Sequence, residues 1–269
     1  MTSSSIGPTD YDVAILGGGL AGNLLARQLR RQLPDLHVGI FERSETTSFK
    51  VGESSVEIAS SYFTRRLGLT RYLYENQLPK NGLRFFFDTP EKNGDLEDLS
   101  EMGSVALAYL PAFQLDRARL EADLREMNRA AGVETRFGRV SNVTLSSGAH
   151  TFDLEGGVDG EVAGKETISA RWVVDAAGRS GLIARPQKLW IPETHEISSV
   201  WGRFTDVVDF DDIGSPAFRG RAVSYTHLRV PPYSDWMRNS PAAGRLRIAW
   251  LGSPAKNTIE ISPSSISGR

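Results

Sequence analysis

Two kinds of apolar pattern alternate along this chain, and together they predict a sheet covered by helices. Val13, Ala14, Ile15 and Leu16 form an unbroken apolar run of strand length, as a strand buried on both faces requires. From about Leu20 to Leu33, Leu24, Leu25 and Leu29 recur at helical spacing, and Pro34 closes the segment. A second strand over Val38–Phe41 ends at Glu42. The clearest helix spans Gln114–Ala131, where Leu120, Leu124, Met127 and Ala131 advance by four, three and four residues, and Gly132 can supply a left-handed cap. Val133–Phe137 then reads as a third strand of the sheet. Short β-like runs at Val143–Leu145, Thr151–Leu154 and Glu166–Ile168 alternate with glycine turns, a β-meander, before Arg171–Val174 returns as another buried strand.

Between these parts lies an excursion over roughly residues 60–113. Ser54 and Glu57 have the spacing of a capping box ahead of a helical stretch. Leu78–Gly82 reads as a turn, Leu83–Phe87 as a strand, and Asp88–Gly103 as an exposed acidic loop. Trp201–Val208 can open a second, β-rich domain. From about Ala222 the arginines, prolines and serines follow neither a helical nor an alternating pattern. The expectation is that the reading frame departs from the natural one near Leu228, that residues 222–269 form an irregular tail, and that the natural protein is longer.

The chemistry sits where the first strand stops. Gly17, Gly19 and Gly22 fit G-x-G-x-x-G: the first permits the tight turn, the second lets the backbone approach a pyrophosphate, and the third lets the helix pack closely on the sheet. The helix N-terminus then offers phosphates free N–H groups and a partial positive charge. Glu42, twenty residues after Gly22, is placed to hydrogen-bond ribose hydroxyls. Asp175 and Gly178, directly after the returning strand, put a carboxylate and an open backbone at the carboxyl edge of the sheet, where ligands bind in open α/β folds; a plain turn after a strand is the alternative.

Composition narrows the partners. With 269 residues, 40% hydrophobic and 24% charged, the chain has the make-up of an ordinary globular protein, and a formal net charge of -2 gives no basic surplus for nucleic acid or an anionic membrane. The absence of cysteine excludes disulfides and thiolate chemistry, and the four histidines are too scattered for metal-ligand spacing, so no metal is expected. The first ten residues, expected to be disordered, lack the features of a signal peptide, and no segment is long enough to span a bilayer, so a cytoplasmic location is expected.

Five features together, the glycine fingerprint, Glu42, the loop Lys50-Val51-Gly52-Glu53-Ser54, Gln114-Leu115-Asp116-Arg117 and Asp175-Ala176-Ala177-Gly178, resemble the flavin-dependent halogenases of the tryptophan type. They match the wider family of FAD-dependent aromatic hydroxylases more loosely. The resemblance covers roughly Tyr11 to Arg221 and implies an α/β fold: a Rossmann-like FAD-binding sheet with a β-meander crossover over residues 11–185, and the start of an incomplete β-rich substrate domain over residues 186–221. It implies FAD as cofactor, with Gly17, Gly19, Ala21, Gly22, Glu42 and Arg43 holding its ADP half. Val51, Gly52 and Glu53 would lie near the flavin ring, Arg117 would contact the phosphate or ribitol region, and Asp175 and Gly178 would line the same cleft. The residue-level alternative for Arg117 is a solvated helix charge.

The same resemblance implies a reaction. Reduced flavin and O2 give a flavin hydroperoxide, halide attacks its outer oxygen, and the resulting hypohalous acid travels to a small electron-rich aromatic substrate, with FADH2 arriving from a separate flavin reductase. Lys80, five residues before Phe85-Phe86-Phe87, falls where halogenases carry a lysine between flavin and substrate, and its ammonium can hydrogen-bond or capture the hypohalous acid. An exposed turn lysine after Pro79 is the alternative. The chain departs from the halogenase pattern: W-x-W-x-I-P is absent, Trp190-Ile191-Pro192 matches only its end, and the family's later glycine–aspartate segment and substrate-side glutamate would lie beyond the point where the frame is expected to depart. An aromatic hydroxylase, or an FAD-binding fragment without catalysis, are the competing expectations.

Overall fold

A computed structural model of the protein describes residues 8–80, 84–87, 99–103, 112–156, 164–191, 198–203, 216 and 247–252. The first apolar run forms β1 (Tyr11–Leu16) and leads through the glycine turn into α1 (Leu20–Gln32) and β2 (Val38–Glu42). After a loop come α2 (Glu57–Ser61), a π-helical turn (Tyr62–Arg66), α3 (Thr70–Asn76) and the short strands β3 (Leu78–Lys80), β4 (Arg84–Phe87), β5 (Ser100–Gly103) and β6 (Ala112–Gln114). The chain then re-enters the main layer with α4 (Arg117–Ala130), β7 (Glu134–Phe137), β8 (Arg139–Thr144), β9 (His150–Glu155) and β10 (Lys165–Asp175).

The main sheet has six strands in the order β7-β2-β1-β10-β9-β8. Its first four strands are parallel neighbours, and β8, β9 and β10 form the antiparallel meander. Pleating sends alternate residues of β1 to opposite faces. Val13 and Ile15 pack with Val38, Ile40, Val133 and Ala26 of α1 on one face, while Ala14 and Leu16 pack with Phe41, Phe152, Leu154 and Ile168 on the other. Helix α1 is amphipathic twice over. Leu25 and Leu29 face the sheet, and Leu20 and Leu24 face a second cluster formed by Phe63, Leu67, Leu69, Leu73, Phe113, Leu120 and Leu124. This places α1 between the sheet and the layer that contains α4.

Four differences from the sequence reading have local causes. Strand β10 is one continuous strand, so the meander and the returning strand are the same element. Its end is not fully buried, since Trp172 is 61% exposed. Helix α4 starts three residues later than its periodicity suggests, because Gln114 belongs to β6 and Asp116 caps the helix by accepting the Arg119 N–H at 3.3 Å. Ala131 is exposed, while Gly132 adopts the left-handed conformation that ends the helix (φ +84°). The stretch Leu78–Lys80 is a strand, not a turn, because Ala112–Gln114 pairs with it from a distant part of the sequence. The capping box is not formed: α2 begins at Glu57 after Val56, and Ser54 bridges Gln114 instead.

The strand expected near Leu83–Phe87 is β4, which pairs with β5 at the end of the acidic excursion; residues 88–98 lie outside the described residues. A second compact unit contains β11 (Ser198–Arg203) and β12 (Arg247–Gly252), antiparallel from Ser198 opposite Gly252 to Arg203 opposite Arg247. The first of these overlaps the expected opening of the second domain. The other is a regular strand within the stretch expected to be an irregular tail. Residues 204–208, 222–246 and 253–269 lie outside the described residues.

Candidate functional site

The carboxyl ends of β1, β2 and β10 meet, because Leu16 stands beside both Phe41 and Asp175 in the parallel register. The three glycines of the fingerprint differ in their surroundings. A Cβ on Gly17, whose φ is +118°, would lie 2.4 Å from the Ala176 carbonyl oxygen, and one on Gly22 would lie 1.9 Å from the Gly17 carbonyl oxygen. A Cβ on Gly19 would meet nothing within 4 Å. Turn and helix packing are closed around the first and third glycines, and the space before the second is open. Ala21 is exposed on the first turn of α1.

Glu42 is drawn into this cradle from the end of β2. Its Oε2 accepts the Gly18 N–H at 2.6 Å and its Oε1 the Ser44 N–H at 3.2 Å, while the neighbouring Arg43 is exposed. On the other side, the Asp175 carboxylate accepts N–H groups from Ala177 at 3.1 Å, Ile183 at 2.8 Å and Ala184 at 3.2 Å. Gly178, left-handed at φ +60°, has open space where a Cβ would stand. Burial pushes the Asp175 pKa up, but the backbone hydrogen bonds outweigh it and leave the carboxyl below its usual 3.8. The stability this group contributes is therefore present above pH 3.8 and is lost as pH falls through the lower folded value. Asp175→Asn is expected to show a flatter acid limb when Tm is followed against pH. A difference from wild type that stays constant below pH 4 would contradict this.

A second cluster gathers the Lys50–Ser55 loop against α4 and β6. Glu121, buried on α4, takes Lys50 Nζ on Oε2 at 2.7 Å and the Arg117 guanidinium on Oε1. Arg117 Nη1 donates to the Val51 carbonyl at 2.7 Å, and Gly52 is left-handed at φ +91° directly against it. Glu53 is buried and accepts the Arg117 backbone N–H at 3.0 Å, one of the free donors at the start of α4. Arg117 is thus not the solvated helix charge that its position alone suggests. It uses three of its five N–H donors on Glu121 and Val51, which fixes the guanidinium plane and leaves two for a ligand.

Lys80 joins the same loop from the other side of β6. Opposite Ala112 in register, its Nζ donates to Ser54 Oγ and to the Ser55 carbonyl, each at 2.7 Å. Ser55 Oγ in turn accepts the Phe113 N–H at 2.7 Å. Burial lowers the Lys80 pKa below its usual 10.5, with the negative charge of Glu57 opposing the shift.

Residues 10–240 match the family described as FAD binding domain. The chain belongs to that family. Its cofactor is FAD, and the cradle fits it: the closed turn at Gly17 and Gly22 and the open space before Gly19 are what a dinucleotide pyrophosphate needs. This FAD-binding domain protein is similar to the flavin-dependent halogenase chlA of Dictyostelium discoideum, 33% identical over 260 residues that cover 84% of this chain and 42% of the relative. It is also similar to the flavin-dependent halogenase malA of Malbranchea aurantiaca, at 25% identity over 94% of this chain and 37% of that one. The chain spans less than half the length of both relatives. Among solved structures, halogenase PltM in complex with phloroglucinol and FAD superimposes with a TM-score of 0.63 at 19% identity, over 78% of this chain and 43% of that chain. At that identity the likeness is one of fold, a mixed α/β architecture with a parallel-rich sheet.

Two buried residues of the site escaped the sequence reading, Asn23 and Asn128. Nothing in their spacing distinguishes them from surface amides of their helices. Among the described residues no group of three or more His, Asp or Glu side chains could hold a metal ion, and no helix is long and apolar enough to cross a membrane.

Proposed function

We propose that this protein is a flavin-dependent halogenase of a small electron-rich aromatic substrate such as an indole, pyrrole or phenol, using O2, halide and FADH2 delivered by a separate flavin reductase. The observation that carries the proposal is the seating of Lys80 on the Lys50–Ser55 loop through Ser54 and Ser55. The names of both curated relatives point to the same chemistry. Residues 11–185 serve as the FAD-binding domain and residues 186–221 open a substrate domain; a cytoplasmic site of action belongs to the same proposal.

In this reading Gly17, Gly19, Ala21, Gly22, Glu42 and Arg43 receive the ADP half of FAD, where the free N–H groups of the α1 N-terminus favour the pyrophosphate charge. Val51, Gly52 and Glu53 flank the flavin ring, Arg117 lends its two remaining N–H donors to the phosphate or ribitol region, and Asp175 and Gly178 line the cleft. Bound FAD, once reduced, supplies the electrons with which O2 oxidises halide to hypohalous acid. The ammonium of Lys80 has a third N–H beyond those given to Ser54 and Ser55, and that donor orients hypohalous acid toward the substrate ring. Ser54 and Ser55 hold the lysine at the loop so that the acid does not diffuse away unescorted.

The test is product analysis with FAD, a flavin reductase, NADH, O2 and chloride or bromide, over a panel of indoles, pyrroles and phenols. A halogenated product that requires both halide and the reductase is expected. NADPH oxidation without a reductase, with a hydroxylated product, would move the protein to the aromatic hydroxylases. Flavin binding with no turnover under any of these conditions would make it a binding unit only.

A further inference from the structure

Asn23 and Asn128 are both fully buried and lie 105 positions apart in the sequence, yet their side chains touch. Asn128 Nδ2, on α4, donates to the Asn23 backbone carbonyl at 2.9 Å and to Asn23 Oδ1 at 3.1 Å. With its oxygen held there, the Asn23 amide can only turn its Nδ2 the other way, and it donates to the Gly18 carbonyl at 2.6 Å and the Gly19 carbonyl at 3.3 Å. Each of the two amides therefore fixes the orientation of the next. The Asn128 amide cannot flip to relieve this, because its Oδ1 would then face two acceptors; in its present orientation Oδ1 has no hydrogen-bond partner among the described residues.

The geometry has a consequence at the dinucleotide cradle. In a trans peptide the C=O and the following N–H point in opposite directions. The Asn23 amide draws the Gly18 carbonyl inward toward α1 and reinforces the Gly19 carbonyl, which also accepts the Asn23 backbone N–H at 3.0 Å; this turns the Gly19 and Leu20 N–H groups outward, to the side where the Gly19 backbone is open. We infer that Asn128 is a positioning residue for the cofactor, which acts through the Asn23 amide to aim the N–H groups of Gly19 and Leu20 at the pyrophosphate of FAD. The inference rests on FAD occupying the glycine cradle. It ties α4, whose N-terminal end holds the Lys50–Ser55 loop, to the phosphate-binding turn through two side chains.

Titration of the protein with FAD, followed by quenching of flavin fluorescence, tests this together with amide NMR spectra recorded without FAD. In Asn128→Leu, FAD should bind about tenfold more weakly, on the scale expected when a buried hydrogen bond is removed. The Gly19 and Leu20 amide resonances should also move. Leu124→Ala, a core change one turn earlier on α4, should lower Tm while leaving the FAD Kd and the Gly19 resonance unchanged. In Asn23→Leu/Asn128→Leu, binding should be no weaker than in Asn23→Leu alone, because the second amide acts through the first. Asn128→Ala serves the same comparison without adding bulk if the leucine variant does not fold. A wild-type Kd in either Asn128 variant, or additive losses in the double variant, overturns the inference while FAD binding stands. Wild-type protein that fails to bind FAD sinks the cofactor assignment and the inference with it.

Discussion

Gly22→Ala is expected to lose FAD binding by at least about a hundredfold, which corresponds to roughly 2.7 kcal/mol, and to unfold at a visibly lower temperature. The new methyl would lie 1.9 Å from the Gly17 carbonyl oxygen and 3.2 Å from Ile15 Cγ2. Neither side can retreat. Gly17 is held by its N–H to the Phe41 carbonyl at 2.8 Å and is pressed against the Ala176 carbonyl, while α1 is packed on both of its faces. Overpacking of this kind costs roughly 1–3 kcal/mol, and a clash with backbone belongs at the upper end. Gly19→Ala is the informative contrast. Gly19 sits at φ -74° with open space where a Cβ would stand, so an alanine there gives up little beyond its poorer fit at a helix N-cap, less than about 1 kcal/mol. FAD affinity should nevertheless fall, because the methyl occupies the approach of the pyrophosphate. Calorimetric Tm values and FAD Kd values for the two variants decide the matter. An unchanged Tm in Gly22→Ala, or wild-type affinity in Gly19→Ala, would mean that the two glycines do not divide the work in this way.

That contrast also shows why this part of the molecule is legible in the amino-acid sequence. The fingerprint is local: three glycines, two apolar runs and one carboxylate within about thirty residues specify β1, α1 and β2, and their register follows from the parallel pairing rule. The meander and α4 are legible for the same reason, since their periodicities are internal to each element. What escapes is everything that depends on a distant partner. Pro79, Asn81 and Gly82 read as a turn because the strand that pairs with Leu78–Lys80 lies beyond a long excursion. Ser54 and Glu57 have capping-box spacing, but β6 competes for Ser54 and wins. Trp172 and the rest of its run look buried from composition alone, whereas the ring is exposed. The Asn23–Asn128 contact joins two helices through polar residues that carry no pattern. Arg117 lies between the two cases: its place after Asp116 is a local cap signal, but its bond to the Val51 carbonyl is visible only in three dimensions.

Lys80→Met should form halogenated product at least about a hundredfold more slowly while FAD still binds and reduced flavin is still oxidised, a loss on the scale of a missing proton donor. Methionine keeps much of the unbranched stem and removes the charge, so the stem can still cross β6 beside Ala112 while Ser54 and Ser55 lose their donor. The pH dependence then separates two roles for the nitrogen. On the proposed reading, an ammonium at Lys80 would orient hypohalous acid by hydrogen bonding, whereas a neutral amine would attack the halogen, forming an N–halogen bond with release of water. Because burial holds the Lys80 pKa below 10.5, the switch between these forms falls below the ordinary lysine range. The bonds to Ser54 and Ser55 both need N–H donors, and the ammonium keeps one more for the acid, so product formation should decline as pH rises through the folded pKa. Lys80→Arg keeps a positive donor across the whole range and supplies the reference, since the halide, O2 and flavin dependences are common to both proteins. A wild-type profile that rises relative to Lys80→Arg at alkaline pH would assign the capture to the neutral amine. Undiminished product from Lys80→Met would remove Lys80 from the chemistry altogether.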